Sequence, residues 1–312
     1  MINGILNIYK EKGYTSHDVV ARLRGIVGQK KIGHTGTLDP DAEGVLPVCL
    51  GRATKVCDLL TDKDKTYEAV LLLGKTTDTQ DITGTVLDER SVEGVTEEDA
   101  LECIRSYIGE YDQTPPMYSA LKVGGKKLYE LAREGKTVER KSRRVIIHDI
   151  RIKEICFPRI RMEVECSKGT YIRTLCHDIG ISFGTGGCME SLLRTRVGRF
   201  NLEDSLRLSE VEERTQSGRL SEILLTLDGV FSDLGQIVLK DRYAFLGYNG
   251  NPFLSKHVKT QKEGTDAPRD AERFRVYDVQ GRFIGVYKYE KKLGQFRLEK
   301  MFLDQDELRR QS

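Results

Sequence analysis

Apolar and polar positions recur with two different periods along this chain, and the changes of period mark out its elements. Ser16 is a residue type suited to capping. After it, Val19, Val20, Leu23 and Ile26 share one face of a helix over residues 17–26. Residues 31–45, rich in Gly, Thr, Asp and Pro, read as a loop, and 46–60 as a helix weakened by Gly51. Residues 66–73 are β-branched and apolar, a strand. Thr96 with Asp99 forms a capping-box pattern, and Leu101, Ile104 and Ile108 carry that helix to Gly109. Residues 113–125, with Pro115-Pro116 and Gly124-Gly125, form a loop bearing a short helix at 127–133. Strands are expected at 145–157 and 161–166; in the second, Met162, Val164 and Cys166 alternate with Arg161, Glu163 and Glu165. A helix over 170–179 follows. Helices and strands mix without a regular βαβ repeat, which predicts an α+β fold with a mixed sheet.

The pattern changes late. Residues 261–272 are polar, broken by Gly264 and Pro268. Around them lie strand candidates at 236–240, 273–278, 282–289 and 295–301, with Gln280-Gly281 as a hairpin turn. A chain of 312 residues has room for a large and a small domain. The expected division is 1–232 and a β-rich 236–303.

Composition adds less. Apolar residues make up 38%, too many for wholesale disorder, and a net charge of +2 announces no nucleic-acid binder. The local distribution says more. Residues 76–112 hold eleven acidic and two basic side chains, whereas 122–144 hold nine basic and three acidic. Either these are two solvated faces of opposite sign, or a polyanion meets the second and avoids the first. The seven cysteines include no C-x-x-C pair and are odd in number, which argues against a disulfide framework and a structural zinc site. The five histidines never approach metal-ligand spacing, so no metal is expected. Met1-Ile2-Asn3-Gly4 lacks the regions of a signal peptide, and no apolar run approaches the ~20 residues of a membrane span. The expectation is a soluble, cytoplasmic protein that engages no membrane.

Few side chains are candidates for chemistry. Asp39 lies in Gly33-His34-Thr35-Gly36-Thr37-Leu38-Asp39-Pro40-Asp41-Ala42-Glu43-Gly44. Glycines permit unusual backbone turns, and Pro40 biases Asp39 toward an extended conformation. Such a loop can hold a carboxylate at the mouth of a pocket, or Asp-Pro can simply start a turn. Arg173 follows Ser167-Lys168-Gly169-Thr170-Tyr171-Ile172, where a helix begins. It either pairs with a carboxylate and keeps it ionised or is a surface arginine. Tyr67 is a strand residue, and His34 can stack on a base or bond within its loop. Phosphate-cradling, dinucleotide-binding and nucleophile-elbow motifs do not occur. From these residues alone the reading stops at an RNA-binding protein, with or without catalysis.

Four blocks make the sequence resemble the TruB family of pseudouridine synthases. They are Gly4-Ile5-Leu6-Asn7-Ile8 through Gly13-Tyr14-Thr15-Ser16-His17; the loop 33–44 running into Val45-Leu46-Pro47-Val48; Gln113-Thr114-Pro115-Pro116-Met117-Tyr118-Ser119-Ala120 with Lys122, Gly125, Tyr129, Ala132-Arg133 and Gly135; and Ser167 through Thr174-Leu175. Two departures stand out: Lys10-Glu11 where the family has Lys-Pro, and Glu43 where a small or hydroxyl residue is commoner. The resemblance implies an isomerase that flips one uridine of the tRNA T-loop (tRNA position 55) and rejoins its base to the sugar through C5, without cofactor or metal. It implies Asp39 as the essential aspartate, which adds to C6, attacks C1′ or removes the C2′ proton. It further implies Arg173 as its ion-pair partner, Tyr67 stacked on the target base, His34 beside the flipped nucleotide and Leu193 in the apolar wall. Lys122, Lys126, Lys127, Arg140 and Lys141 would belong to an RNA-gripping insertion at about 113–144. The β-rich end resembles a PUA domain in its pattern and its place after a synthase domain. The partner is the T-arm of tRNA, with no obligate protein partner, and the chain is expected to be a monomer. Two other readings stand beside this one: an RNA-binding or tRNA-folding protein that needs no catalysis, and a synthase of the same fold acting on other RNA with partner proteins.

Overall fold

The computed structural model describes residues 1–259 and 268–303. The first part of the polar stretch 261–272 lies outside them. The chain forms two compact units. The larger comprises Asn7–Cys49 and Val56–Leu220; the smaller comprises Met1–Leu6, Leu50–Lys55 and the chain from Ser221 onward.

In chain order the first elements are β1 (Gly4–Lys10), α1 (Ser16–Val27), β2 (Ile32–His34), β3 (Glu43–Leu50), α2 (Cys57–Thr61) and β4 (Lys65–Leu73). A hairpin of β5 (Lys75–Thr77) and β6 (Val86–Glu89), helix α3 (Glu97–Arg105) and β7 (Gly109–Gln113) follow. The insertion carries β8 (Lys122–Val123), β9 (Lys126–Lys127) and α4 (Leu128–Arg133). Then come β10 (Arg143–Cys156), β11 (Arg159–Cys166), α5 (Ile172–Ser182), β12 (Gly187–Val197), β13 (Phe200–Asn201) and α6 (Leu208–Gln216).

The main sheet has the order β1-β3-β12-β4-β11-β10-β7, with β2 on β3 and β13 on β12. Its β3–β12 pair is parallel while β12–β4, β4–β11 and β11–β10 are antiparallel, so the sheet is mixed, as the pattern predicts. Side chains alternate across a strand, so register decides what is buried. Tyr67, Ala69 and Leu71 of β4 lie opposite Val164, Met162 and Ile160 of β11, and all six are buried. Ala100 and Ile104 of α3, and Ile172, Leu175, Cys176 and Ile179 of α5, complete that core. The alternate positions carry cross-strand ion pairs, such as Arg151–Glu163 at 3.0 Å and Arg159–Glu190 at 2.8 Å.

Three local expectations are corrected. Residues 46–60 are not one helix: they continue β3, pass through a 3-10 turn at Gly51–Val56 and enter the short α2. Val45, Leu46, Val48, Cys49 and Leu50 are all buried, and a strand covered on both faces shows no period that separates it from a helix. The cap of α1 is Thr15, which forms a capping box with Asp18, while Ser16 is buried. Helix α3 ends at Arg105 rather than Gly109, and Gly109 opens β7.

The smaller unit is β-rich. It contains β14 (Gly235–Val238), α7 (Ala244–Tyr248), β15 (Phe253–Leu254), β16 (Arg273–Tyr277), β17 (Phe283–Glu290) and β18 (Gln295–Met301). These strands form a five-stranded sheet in the order β14-β16-β17-β18-β15. Its core packs Phe253, Phe274, Tyr287 and Phe296 around Ile237, Val276 and Ile284. The β16–β17 turn needs Gly281 at φ +79°, and buried Asp278 accepts the N–H groups of Gln280 and Arg282 across it. No helix of the described residues is long and apolar enough to cross a membrane.

Candidate active site

The loop between β2 and β3 carries Asp39, and much of it is tied down through its backbone. Ser16 Oγ accepts the N–H of Leu38 at 2.9 Å. The N–H of Gly13 reaches the Pro40 carbonyl at 2.9 Å, and Ala42 N–H closes a turn on the Asp39 carbonyl at 3.1 Å. Lys10, wholly buried, donates to the carbonyls of Pro40 at 3.0 Å and Ala42 at 2.5 Å. Burial pulls its ammonium down to about 8, and Asp39, Glu43 and Asp41 oppose that. Gly44, at φ +104°, lets β3 approach β12: a Cβ there would sit 2.2 Å from the Arg194 carbonyl oxygen.

On this platform the Asp39 carboxylate faces Arg173 of α5. Arg173 Nε lies 3.0 Å from Oδ2 and a terminal nitrogen 3.4 Å from Oδ1, the two-pronged arrangement that suits a guanidinium. The remaining donors of Arg173 reach Asp81 Oδ2 at 3.4 Å and the carbonyls of Thr79 at 3.1 Å and Tyr118 at 2.7 Å. Each terminal nitrogen thus donates twice, and Nε lies against the carboxylate. Arg173 joins the Asp39 loop, the turn after β5 and the insertion after β7. Crowding by protein atoms pushes the Asp39 carboxyl above its usual value; Arg173 pulls it back, and Asp81 adds to the rise. The side chain is 42% open to solvent, and the Arg173 guanidinium at 3.0 Å opposes that rise.

Tyr67 is the third residue of β4 and is 8% exposed. Burial raises its phenol, Arg194 lowers it, and Asp39 is close enough to contribute. His34 ends β2, with its ring edge-on to His17 at 5.4 Å. Burial, His17 and Arg194 lower its imidazolium, so the ring is neutral near pH 7, and its Nδ1 is buried without a hydrogen-bond partner.

Leu193 is not brought to this face. It lies opposite Glu68 on β4, whereas Leu192 lies opposite Ala69 and Arg194 opposite Tyr67. Alternation turns Leu193 away from Tyr67, and Leu192 packs against the core that contains Tyr67. The sequence reading did not assign β12 as a strand, so its period of two, the one available signal, went unused.

In the insertion, Lys122 and Lys141 are exposed and have no ion-pair partner among the described residues. Lys126 is exposed but pairs with Glu134 at 3.0 Å. Lys127 is half-buried, with its ammonium 3.2 Å from the Tyr129 hydroxyl. Arg140 is turned inward onto the Pro115 carbonyl at 3.0 Å. Sequence reasoning also missed Asp81. It sits in Asp78-Thr79-Gln80-Asp81-Ile82-Thr83-Gly84, a turn-forming polar run inside the acidic segment, and its Oδ1 is held by Thr79 and Thr83.

The comparisons agree with this architecture. A Cbf5-Nop10-Gar1 complex contains a chain that superposes with a TM-score of 0.71 at 25% identity, over 97% of this chain and 86% of that one. An H/ACA RNP bound to a substrate RNA containing 2′-deoxyuridine gives 0.70 at 23% identity over the same shares, a likeness of fold. The accessible carboxylate held by an arginine thus stands on the fold that those chains share. Residues 24–172 match the N-terminal domain of the TruB family pseudouridylate synthases, and 173–232 match the tRNA pseudouridylate synthase B C-terminal domain. The tRNA pseudouridine synthase B of Lachnoclostridium phytofermentans is 52% identical over 97% of this chain and all of the relative. That of Bacillus pumilus is 41% identical over 92% and 93%. The chain belongs to the TruB family.

Proposed function

We propose that this chain is a tRNA pseudouridine synthase, an isomerase that turns one uridine of the T-loop into pseudouridine. The N1–C1′ bond breaks and a C5–C1′ bond forms; C5 loses a hydrogen and N1 gains one, so nothing is oxidised and no group is imported. The observation that carries the reading is the Asp39 carboxylate, accessible yet held in two-pronged contact by Arg173. A protein that only binds RNA has no need of that carboxylate.

The geometry supports the following roles. Asp39 is the reacting carboxylate, and Arg173 keeps it ionised and aimed. The target base leaves its stack and lies against Tyr67, whose ring compensates for lost stacking. Leu192 supplies the apolar wall, and neutral His34 stands beside the flipped nucleotide. Lys122 and Lys141, exposed and without an ion-pair partner among the described residues, hold phosphates of the T-arm. The smaller unit is a PUA-like RNA-binding domain, and the enzyme acts as a cytoplasmic monomer. Incubation with unmodified tRNA, then carbodiimide treatment and primer extension, should give a stop at one T-loop uridine. Loss of that stop in Asp39→Asn, with tRNA still bound, separates catalysis from binding. A wild-type protein that binds tRNA and leaves no stop would defeat the proposal.

A further inference from the structure

Arg194 is the largest fully buried side chain among the described residues, with 1% of its surface exposed. No carboxylate of the described residues lies within ion-pair distance of it. A buried cation without an acid partner is costly and persists only where other groups satisfy it. Here those groups are specific. Nε donates to the Val45 carbonyl at 2.7 Å, and a terminal nitrogen reaches the Gly36 carbonyl at 3.3 Å. These two carbonyls bracket Asp39 in sequence. The strand register sets Arg194 opposite Tyr67 on one side and opposite Gly44 on the other. Arg194 and Tyr67 are therefore cross-strand neighbours on one face, and the guanidinium and the phenol act on each other electrostatically.

We propose that Arg194 is a positioning residue for the isomerisation: it holds the two ends of the Asp39 loop and the Tyr67 hydroxyl in one frame, with a fixed positive charge against that hydroxyl. The inference rests on the roles given above to Asp39 and Tyr67. Its logic is separate from that of Arg173. Arg173 touches the carboxylate itself, whereas Arg194 touches the backbone that carries the carboxylate and the side chain that faces the base. One planar, permanently charged fork spans the loop and the tyrosine; a lysine ammonium is a point donor and cannot do so in this geometry. Glycine at 36 permits the φ of +88° that the loop adopts where its carbonyl meets the guanidinium. Burial raises the Tyr67 phenol, and the neighbouring charge works against that rise.

The test is a double-mutant cycle on the full chain with Arg194→Lys, Tyr67→Phe and the pair. Single-turnover pseudouridine formation on a tRNA transcript, tRNA Kd and Tm are measured for each. Arg194→Lys should slow the chemical step by about 10- to 100-fold, the scale of a misplaced acid–base group, with Kd changed less than about threefold. The loss should be at least about threefold smaller in the Tyr67→Phe background, because the shared contact is already gone. An equal loss in both backgrounds, or losses in Kd and rate that simply follow Tm, would overturn the proposal. If Arg194→Lys does not fold, the wild type and Tyr67→Phe still decide. The Arg194 Nε–H signal in a nitrogen-15 spectrum should exchange slowly and shift when the hydroxyl is removed; fast exchange or an unmoved signal counts against it. A wild type inactive on tRNA would instead defeat the reading of the site as a whole.

Discussion

Around the Asp39 loop the protein buries Lys10, Arg173 and Arg194, each bonded to backbone carbonyls, whereas the interior of the smaller unit is a cluster of Phe253, Phe274, Tyr287 and Phe296 with ring centroids 5.0 to 5.5 Å apart. The aromatic interior stabilises through area, and each large ring removed costs about 3–5 kcal/mol. The cationic interior gains little net stability, because desolvation offsets what the carbonyls return. What it gains is geometry: each cation fixes two or more carbonyls from different parts of the chain. Changes in the first region should therefore appear in rate, and changes in the second in stability.

The sharpest way to break this contrast is Asp39→Asn. The side chain keeps its size and one acceptor but loses its charge. Turnover should fall by at least 10²- to 10⁴-fold, the span of acid–base catalysis alone, while tRNA Kd stays within about threefold. A variant that keeps a tenth of the wild-type single-turnover rate would end Asp39's role. Arg173→Lys comes next. Lysine retains the charge but cannot serve Asp39, Asp81, Thr79 and Tyr118 together, and chemistry should slow by about 10²-fold with a smaller loss of affinity. Near-normal chemistry would mean that the carboxylate is held by something else.

Both residues were visible in the sequence, for different reasons. Asp39 stood out because glycines and a proline around a carboxylate have a local backbone meaning. Arg173 was placed at a helix start by pattern, but its pairing with Asp39 joins positions 134 residues apart and came only from the family resemblance. Tyr67 was legible as a strand residue because 66–73 is β-branched and apolar, but its place beside the target base came only from the family resemblance. Leu193 was misplaced, and Leu192 missed, because β12 was not read as a strand, and a one-residue error on a strand exchanges its faces. Residues 46–60 were misread because β3 is buried on both sides and has no period to detect. Asp81, Lys10 and Arg194 lay beyond pattern altogether: their meaning is in contacts with backbone atoms distant in sequence.

In the aromatic region, Phe296→Ala should lower the stability of the smaller unit by about 3–5 kcal/mol, since Phe296 stacks on Phe253 and meets Phe274 and Tyr289. Single-turnover rate on a T-arm stem-loop should stay within about threefold below the new Tm. A rate loss as large as that of Arg173→Lys would erase the distinction between the two interiors. A smaller effect concerns pH. The Asp39 carboxyl lies above its usual value, so the active carboxylate is lost on acidification earlier than an ordinary aspartate would be. The acid limb of single-turnover rate should fall above the ordinary carboxylate range, and Arg173→Lys, which weakens the opposing charge contact, should move it further up. A limb at or below the ordinary value would show that the ion pair outweighs the crowding.

The smallest effect carries the comparison to the surface, where cations are again either engaged or free. Lys126 is paired with Glu134, and Arg140 is turned onto the Pro115 carbonyl, so both already have partners within the protein. Lys122 and Lys141 are exposed and have no ion-pair partner among the described residues. A lysine that releases counterions on meeting a phosphate contributes about 0.7 to 0.9 to the log–log salt slope. Lys122→Ala with Lys141→Ala should thus reduce the slope of tRNA binding by about 1.4 to 1.8, with only a several-fold loss of affinity at physiological salt. Arg140→Ala should change the slope by less than half a unit, because its charge is spent inside the fold. If Arg140→Ala flattens the slope and the lysine pair does not, the insertion rearranges on RNA and presents a different set of cations from the one seen here.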